Sequence, residues 1–148
     1  MITRREWIAS TASLAAGATL PRLALAEAGS GAPIRRAIPA SGEQLPVIGL
    51  GTNNYSPRSI EERLTRRVVL EKLPQLGGKV IDTAPAYRDS ERTLGTMLTE
   101  LAIRDRVFLA TKVTAPNGSL AAAREMIEQS FRSLQTARID LLQVHNLD

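Results

Sequence analysis

Apolar and polar positions along this chain fall into blocks whose period switches between helix and strand. Residues 58–76 place Ile60, Leu64, Val68, Val69, Leu73 and Leu76 at helical spacing, and Gly77-Gly78 stops the run. Residues 79–83 form a short apolar run after that turn, which reads as a buried strand. Residues 90–101 return to helical spacing with Leu94, Met97, Leu98 and Leu101 on one face, and residues 106–112 are strand-like again. Ser119 is placed to cap a helix over 120–134, whose buried side carries Met126, Ile127, Phe131 and Leu134. Residues 139–145 make a further strand. Upstream, residues 47–51 read as the first buried strand. Before them, residues 35–39 and 44–46 flank the turn-like Ala40-Ser41-Gly42-Glu43 as a small hairpin.

The predicted order is a hairpin followed by β-α-β-α-β-α-β. Strands and helices alternating at this length imply a parallel sheet with right-handed crossovers. A doubly wound sheet calls for a glycine-rich phosphate loop after its first strand. Gly49-Leu50-Gly51-Thr52-Asn53-Asn54 supplies two glycines but neither a third nor an immediate helix, so that fingerprint fails. A (β/α)8 TIM barrel explains more, because three successive strand ends deliver polar side chains. The strand at 79–83 ends in Asp82, with Tyr87 on the loop beyond; the next delivers Lys112; the last delivers His145. Barrel enzymes place their chemistry at these ends. Eight strands take about 250 residues, so the chain reads as the N-terminal hairpin and first four strands of such a barrel, a half-barrel spanning 34–148.

Composition adds bounds. A 148-residue chain with 43% hydrophobic and 23% charged residues has enough apolar surface for a packed core. The net charge of +4 is mild, and no Lys/Arg block in the body of the chain marks a nucleic-acid surface. Without cysteine and with one histidine, neither disulfides nor a thiolate or histidine-rich metal site is expected. Arg58, Arg63, Arg66 and Arg67 read as a solvated helix face.

The first 26 residues read as an address rather than as fold. Arg4-Arg5 precedes a mild, Ala-rich apolar run from Ile8 to Leu20, and Ala24-Leu25-Ala26 offers the small residues of a cleavage site. The run is too short and too weakly apolar for a membrane span. The segment resembles twin-arginine export signals, which implies handling by the twin-arginine machinery and a periplasmic or secreted destination. Residues 27–33 form a flexible lead-in.

From Ile34 onward the motifs resemble those of the aldo-keto reductases. The likeness rests on Leu45-Pro46-Val47-Ile48-Gly49-Leu50-Gly51-Thr52, on Asp82-Thr83-Ala84-Pro85-Ala86-Tyr87 with Ser90-Glu91 and Leu94-Gly95, and on Ala110-Thr111-Lys112. Ser130-Phe131-Arg132-Ser133-Leu134, Arg138-Ile139-Asp140-Leu141 and His145 complete it. The resemblance implies reversible reduction of an aldehyde or ketone by NADPH (NADP as product) without a metal, in a protein monomeric at full length. It makes Tyr87 the general acid, Lys112 its cationic neighbour, Asp82 the anchor of Lys112, and His145 the group that orients the carbonyl. A free phenol titrates near pH 10, so such an acid needs a cation beside it to work near neutrality. Thr52 and Asp82 are the residues expected near the cofactor.

Two positions depart from the family pattern. Arg88 stands where members usually have glycine after the tyrosine, and Asn146 where many have tryptophan. The family's nicotinamide-stacking tyrosine and phosphate-binding loops belong to later strands, so this stretch alone is expected to bind NADPH poorly. Two readings stand beside the enzyme: a half-barrel with open strand edges that does not catalyse, and a module that binds NADPH without turnover.

Overall fold

Every element outlined by the hydrophobic pattern forms, in the predicted order. The computed structural model describes residues 31–115 and 118–146; the leader read at 1–26 and most of the lead-in lie outside the described residues. Strands β1 (Arg35–Ala37) and β2 (Gln44–Pro46) pair antiparallel, with Arg36 opposite Leu45. Gly42 closes their turn at φ +73°, a conformation open to glycine without strain.

The main sheet holds β3 (Leu50–Gly51), β4 (Val80–Asp82), β5 (Phe108–Val113) and β6 (Leu141–Val144), parallel and in that spatial order. Helices α1 (Ile60–Gln75), α2 (Ser90–Glu100) and α3 (Leu120–Ser133) make the crossovers. This is the order of four consecutive strands of a (β/α)8 barrel. The first strand is shorter than the predicted 47–51, since Val47 N–H bonds to the Ile34 carbonyl (2.9 Å) and only Leu50 and Gly51 reach β4.

Helix α1 starts where Ser59 Oγ accepts the Glu62 N–H at 3.1 Å, with Glu61 and Glu62 placed favourably in the positive first turn. Its predicted apolar stripe is not what packs. Leu70 is the buried residue and Leu73 packs partly, whereas Ile60, Leu64, Val68, Val69 and Leu76 are exposed. Val68, Val69, Leu73 and Leu76 instead border an open apolar cavity of about 460 Å³ beside Pro46, Ile48 and Leu50. At the β6 edge of the sheet, Leu141, Leu142 and Val144 are exposed too. Burial concentrates in the middle of the sheet. Ile81, Leu94, Met97, Leu98, Ile103, Val107, Leu109 and Leu134 form the core with Tyr55 and Leu70.

One polar device fixes β6 against β5. Asp140 Oδ2 accepts from the Leu109 N–H (2.8 Å) and from Arg104 (2.9 Å), and Asp140 Oδ1 pairs with Arg138 Nε (2.9 Å). Charge-assisted bonds of this kind exceed ordinary ones in strength. They pin the start of β6, so the strand delivers His145 at a fixed height. No helix among the described residues is long and apolar enough to cross a membrane.

Candidate active site

The register of the sheet gathers the predicted residues. Asp82 lies opposite Ala110, and Lys112 is two residues further along β5, so it shares the face of Asp82. Lys112 lies opposite Gln143, and His145 follows two residues on, again on that face. The His145 N–H continues the ladder to the Val113 carbonyl at 2.9 Å. Each strand therefore lifts its functional residue one step above its neighbour. The intervening residues, Ile81, Leu109 and Thr111, face the helices and are buried.

Lys112 is the centre of the group. Its Nζ donates to Asp82 Oδ2 at 2.6 Å and to the Thr83 carbonyl at 3.0 Å, and its side chain is 14% exposed. An ammonium so enclosed demands such partners. The same Nζ stands 4.9 Å from the centroid of the Tyr87 ring. The His145 ring meets Tyr87 edge to face, with centroids 5.6 Å apart. Asp82, Tyr87, Lys112 and His145 are thus brought together. Beside them, Pro85, Ala86, Lys112, Thr114, Met126 and His145 line a cavity of about 230 Å³.

Thr52 occupies a different place. It is fully buried, and its Oγ1 donates to the Asp82 carbonyl at 2.9 Å, beside its own N–H bonding to the same oxygen at 3.1 Å. Ser90 Oγ donates in turn to the Thr52 carbonyl at 2.6 Å. Thr52 therefore ties the first strand's exit to the backbone that carries Asp82.

Three supporting features were legible only in part, since the sequence marked Arg88 as a departure from the family pattern and Ser90-Glu91 as a piece of it. Ser56 Oγ accepts the Asp89 N–H at 3.0 Å and donates to the Tyr87 carbonyl at 3.4 Å, clasping both sides of the Tyr87–Asp89 turn. Arg88 within that turn takes φ +56°, the left-handed region, which accounts for the glycine usual at this place. Glu91 is 5% exposed, receives Thr111 Oγ1 at 2.6 Å and Ser130 Oγ at 3.2 Å, and joins α2, β5 and α3 directly beneath Lys112. Burial pushes the Glu91 carboxyl above its usual range, and the two hydroxyl donors offset only part of that. Only the Ser90-Glu91 motif hinted at this role, because the partners lie on elements distant in sequence.

A parallel α/β sheet thus carries an acid, a phenol, a buried ammonium and an imidazole together at its strand ends, where barrel enzymes place their chemistry. The Aldo/keto reductase family profile matches residues 47–148, and the chain belongs to that family. Methylglyoxal reductase YeaE of Escherichia coli is 36% identical over 114 residues, covering 75% of this chain and 39% of the relative. D-galacturonate reductase of Fragaria ananassa is 33% identical over 109 residues, 70% of this chain and 33% of the relative. Among solved structures, a Klebsiella pneumoniae aldo-keto reductase in complex with NADPH superposes with a TM-score of 0.65 at 30% identity, covering 76% of this chain and 39% of that one. Another from that organism, in complex with NADP and acetate, gives 0.60 at 32% identity, over 70% and 36%. The chain spans well under half the length of these relatives.

Proposed function

We propose that this chain supplies the proton-transfer side of a site that reduces an aldehyde or ketone to an alcohol. The observation that carries this reading is the Asp82–Lys112 pair set 4.9 Å from the Tyr87 ring, with His145 at the ring's edge. As negative charge develops on a carbonyl oxygen beside Tyr87, the phenol hands over its proton. The Lys112 ammonium stabilises the charge that this transfer leaves on the ring. Asp82 and the Thr83 carbonyl hold that ammonium so that it needs no rearrangement during the reaction. His145 orients the carbonyl by a hydrogen bond. NADPH is the cofactor that fits, and it supplies the hydride. Two solved relatives are complexes with NADP or NADPH, which supports that cofactor.

The test is carbonyl-dependent oxidation of NADPH by the intact protein, with methylglyoxal and simple aldehydes as substrates. Turnover supports the reading. NADPH binding without turnover would make the protein a sensor instead. The twin-arginine pattern at Arg4-Arg5 supports periplasmic action, which cell fractionation with Arg4→Lys and Arg5→Lys variants checks: export lost in the variants is expected, and unchanged export refutes it.

A further inference from the structure

The loop that carries Tyr87 also borders a second cavity. It has a volume of about 190 Å³ and is lined by Asn54, Ser56, Arg58, Glu62, Arg66 and Arg88. Its charges are unequal. Glu62 accepts from Arg66 at 3.1 Å and from the Arg58 N–H at 2.9 Å, and these bonds hold its carboxyl below the usual range, the backbone bond foremost. Arg66 also donates to the Asn54 carbonyl at 3.0 and 3.2 Å and lies over the Tyr55 ring, so its guanidinium is spent. The Arg58 and Arg88 guanidiniums make no hydrogen bond or ion pair with other described residues. Nearby Asp89 is paired with Arg92. Two arginine forks thus face a small cavity with one carboxylate already neutralised.

Arg88 itself argues for use of its side chain. Its backbone sits at φ +56°, where a non-glycine residue costs about 1–3 kcal/mol. Gln135 and Ala102 also have positive φ, but they follow helix ends, where that conformation is common. Arg88 instead lies between Tyr87 and the helix cap, clasped on both sides by Ser56. Glycine would make the same turn without strain, and the Arg88 side chain makes no hydrogen bond or ion pair of its own with other described residues. The strained residue places a guanidinium one residue from the proposed acid.

We propose that Arg58 and Arg88 form an anion subsite for the carboxylate or phosphate of an anionic carbonyl substrate. The proposal rests on the reductase reading for its substrate, but the anion site itself does not. Paired arginines recognise such oxyanions through parallel N–H bonds. The cavity suits a single anionic group, being smaller than one that encloses a whole ligand.

Two arms test it on the intact protein. In the first, inorganic phosphate is titrated while the arginine Nε–H resonances are followed by NMR. Saturable shifts confined to Arg58 and Arg88, abolished in Arg88→Gly, are expected; equal shifts at outlying Arg36 and Arg124 would overturn the site. In the second, kcat/KM is compared for succinic semialdehyde and butanal. The preference for the acid should fall about tenfold in Arg88→Gly and in Arg58→Gln, the worth of one charge-assisted hydrogen bond, with part retained in Arg88→Lys. An unchanged ratio refutes a substrate subsite. A rise in the KM for NADPH with the ratio unchanged assigns the anion to the cofactor and also refutes it. Saturable phosphate binding without aldehyde turnover would leave the site standing and remove the reductase reading.

Discussion

Replacing Gly95 by alanine sets two effects of opposite sign against each other. Gly95 is buried in the middle of α2, where alanine is the better helix former by about 1 kcal/mol. Propensity alone therefore predicts a gain. Packing predicts a loss. A Cβ at this position would lie 2.6 Å from the Leu134 carbonyl carbon and 2.8 Å from its Cα, and closer still to the Ser133 carbonyl oxygen. Carbon atoms rest at about 3.5–4.0 Å, so the end of α3 must retreat by roughly 1 Å. All three atoms are backbone, and no rotamer change can relieve the contact. Overpacking of this kind costs about 1–3 kcal/mol, and the retreat also loosens the Ser130–Glu91 bond of 3.2 Å and the buried Leu134. With the helix-propensity gain subtracted and the loosened bond added, the net expectation is a loss of about 1–2 kcal/mol, seen as a fall in Tm of roughly 5–10 °C. Thermal unfolding followed by far-UV circular dichroism measures it directly. A Gly95→Ala protein as stable as the parent, or more stable, would show that the close α2–α3 contact is not made in solution.

Further expectations follow from individual residues. Glu91 has its folded pKa raised by burial, so its contribution is fully present below its unfolded pKa and is lost as pH rises through the folded one. The stability of Glu91→Gln relative to the parent should therefore improve from pH 4 to pH 8, by chemical denaturation at each pH; a difference that is flat or falls with pH contradicts the buried carboxylate. Arg88→Gly removes a left-handed non-glycine residue, so a gain of about 1 kcal/mol is expected even as anion preference is lost, and a destabilised variant would refute the strain argument. Lys112→Met should lower kcat by about 10²-fold or more, because the cation beside Tyr87 is gone. Its Tm should change little, since Asp82 is 39% exposed and takes up water; unfolding of the variant would assign Lys112 to structure instead.

The sequence made the strand ends legible because a strand's period is two and its exits are marked by turns. Asp82, Lys112 and His145 share a face by that alternation, and the family pattern named them in the same order. The α2 face was equally plain, since Leu94, Met97 and Leu98 are all fully buried as their spacing predicts. Helix α1 misled, because periodicity reports that a face is apolar but not what lies opposite; Leu70 packs while Leu64 and Val68 do not. The roles of Glu91 and Ser56 were beyond reach for another reason. Their partners are 20 and 39 residues away for Glu91 and about 30 for Ser56, and no local pattern records such contacts. Arg58 is exposed as read, whereas Arg66 is half-buried and engages the Asn54 carbonyl and the Tyr55 ring.

The central claim is that Tyr87, supported by Lys112, delivers a proton to a carbonyl oxygen. Its most direct test is the single-turnover rate of NADPH oxidation with methylglyoxal by the intact protein and its Tyr87→Phe variant. Phenylalanine keeps the ring against His145 and Lys112 and removes only the hydroxyl. The account predicts a fall of about 10²–10⁴-fold with NADPH binding retained. A rate within twofold of the parent would contradict it.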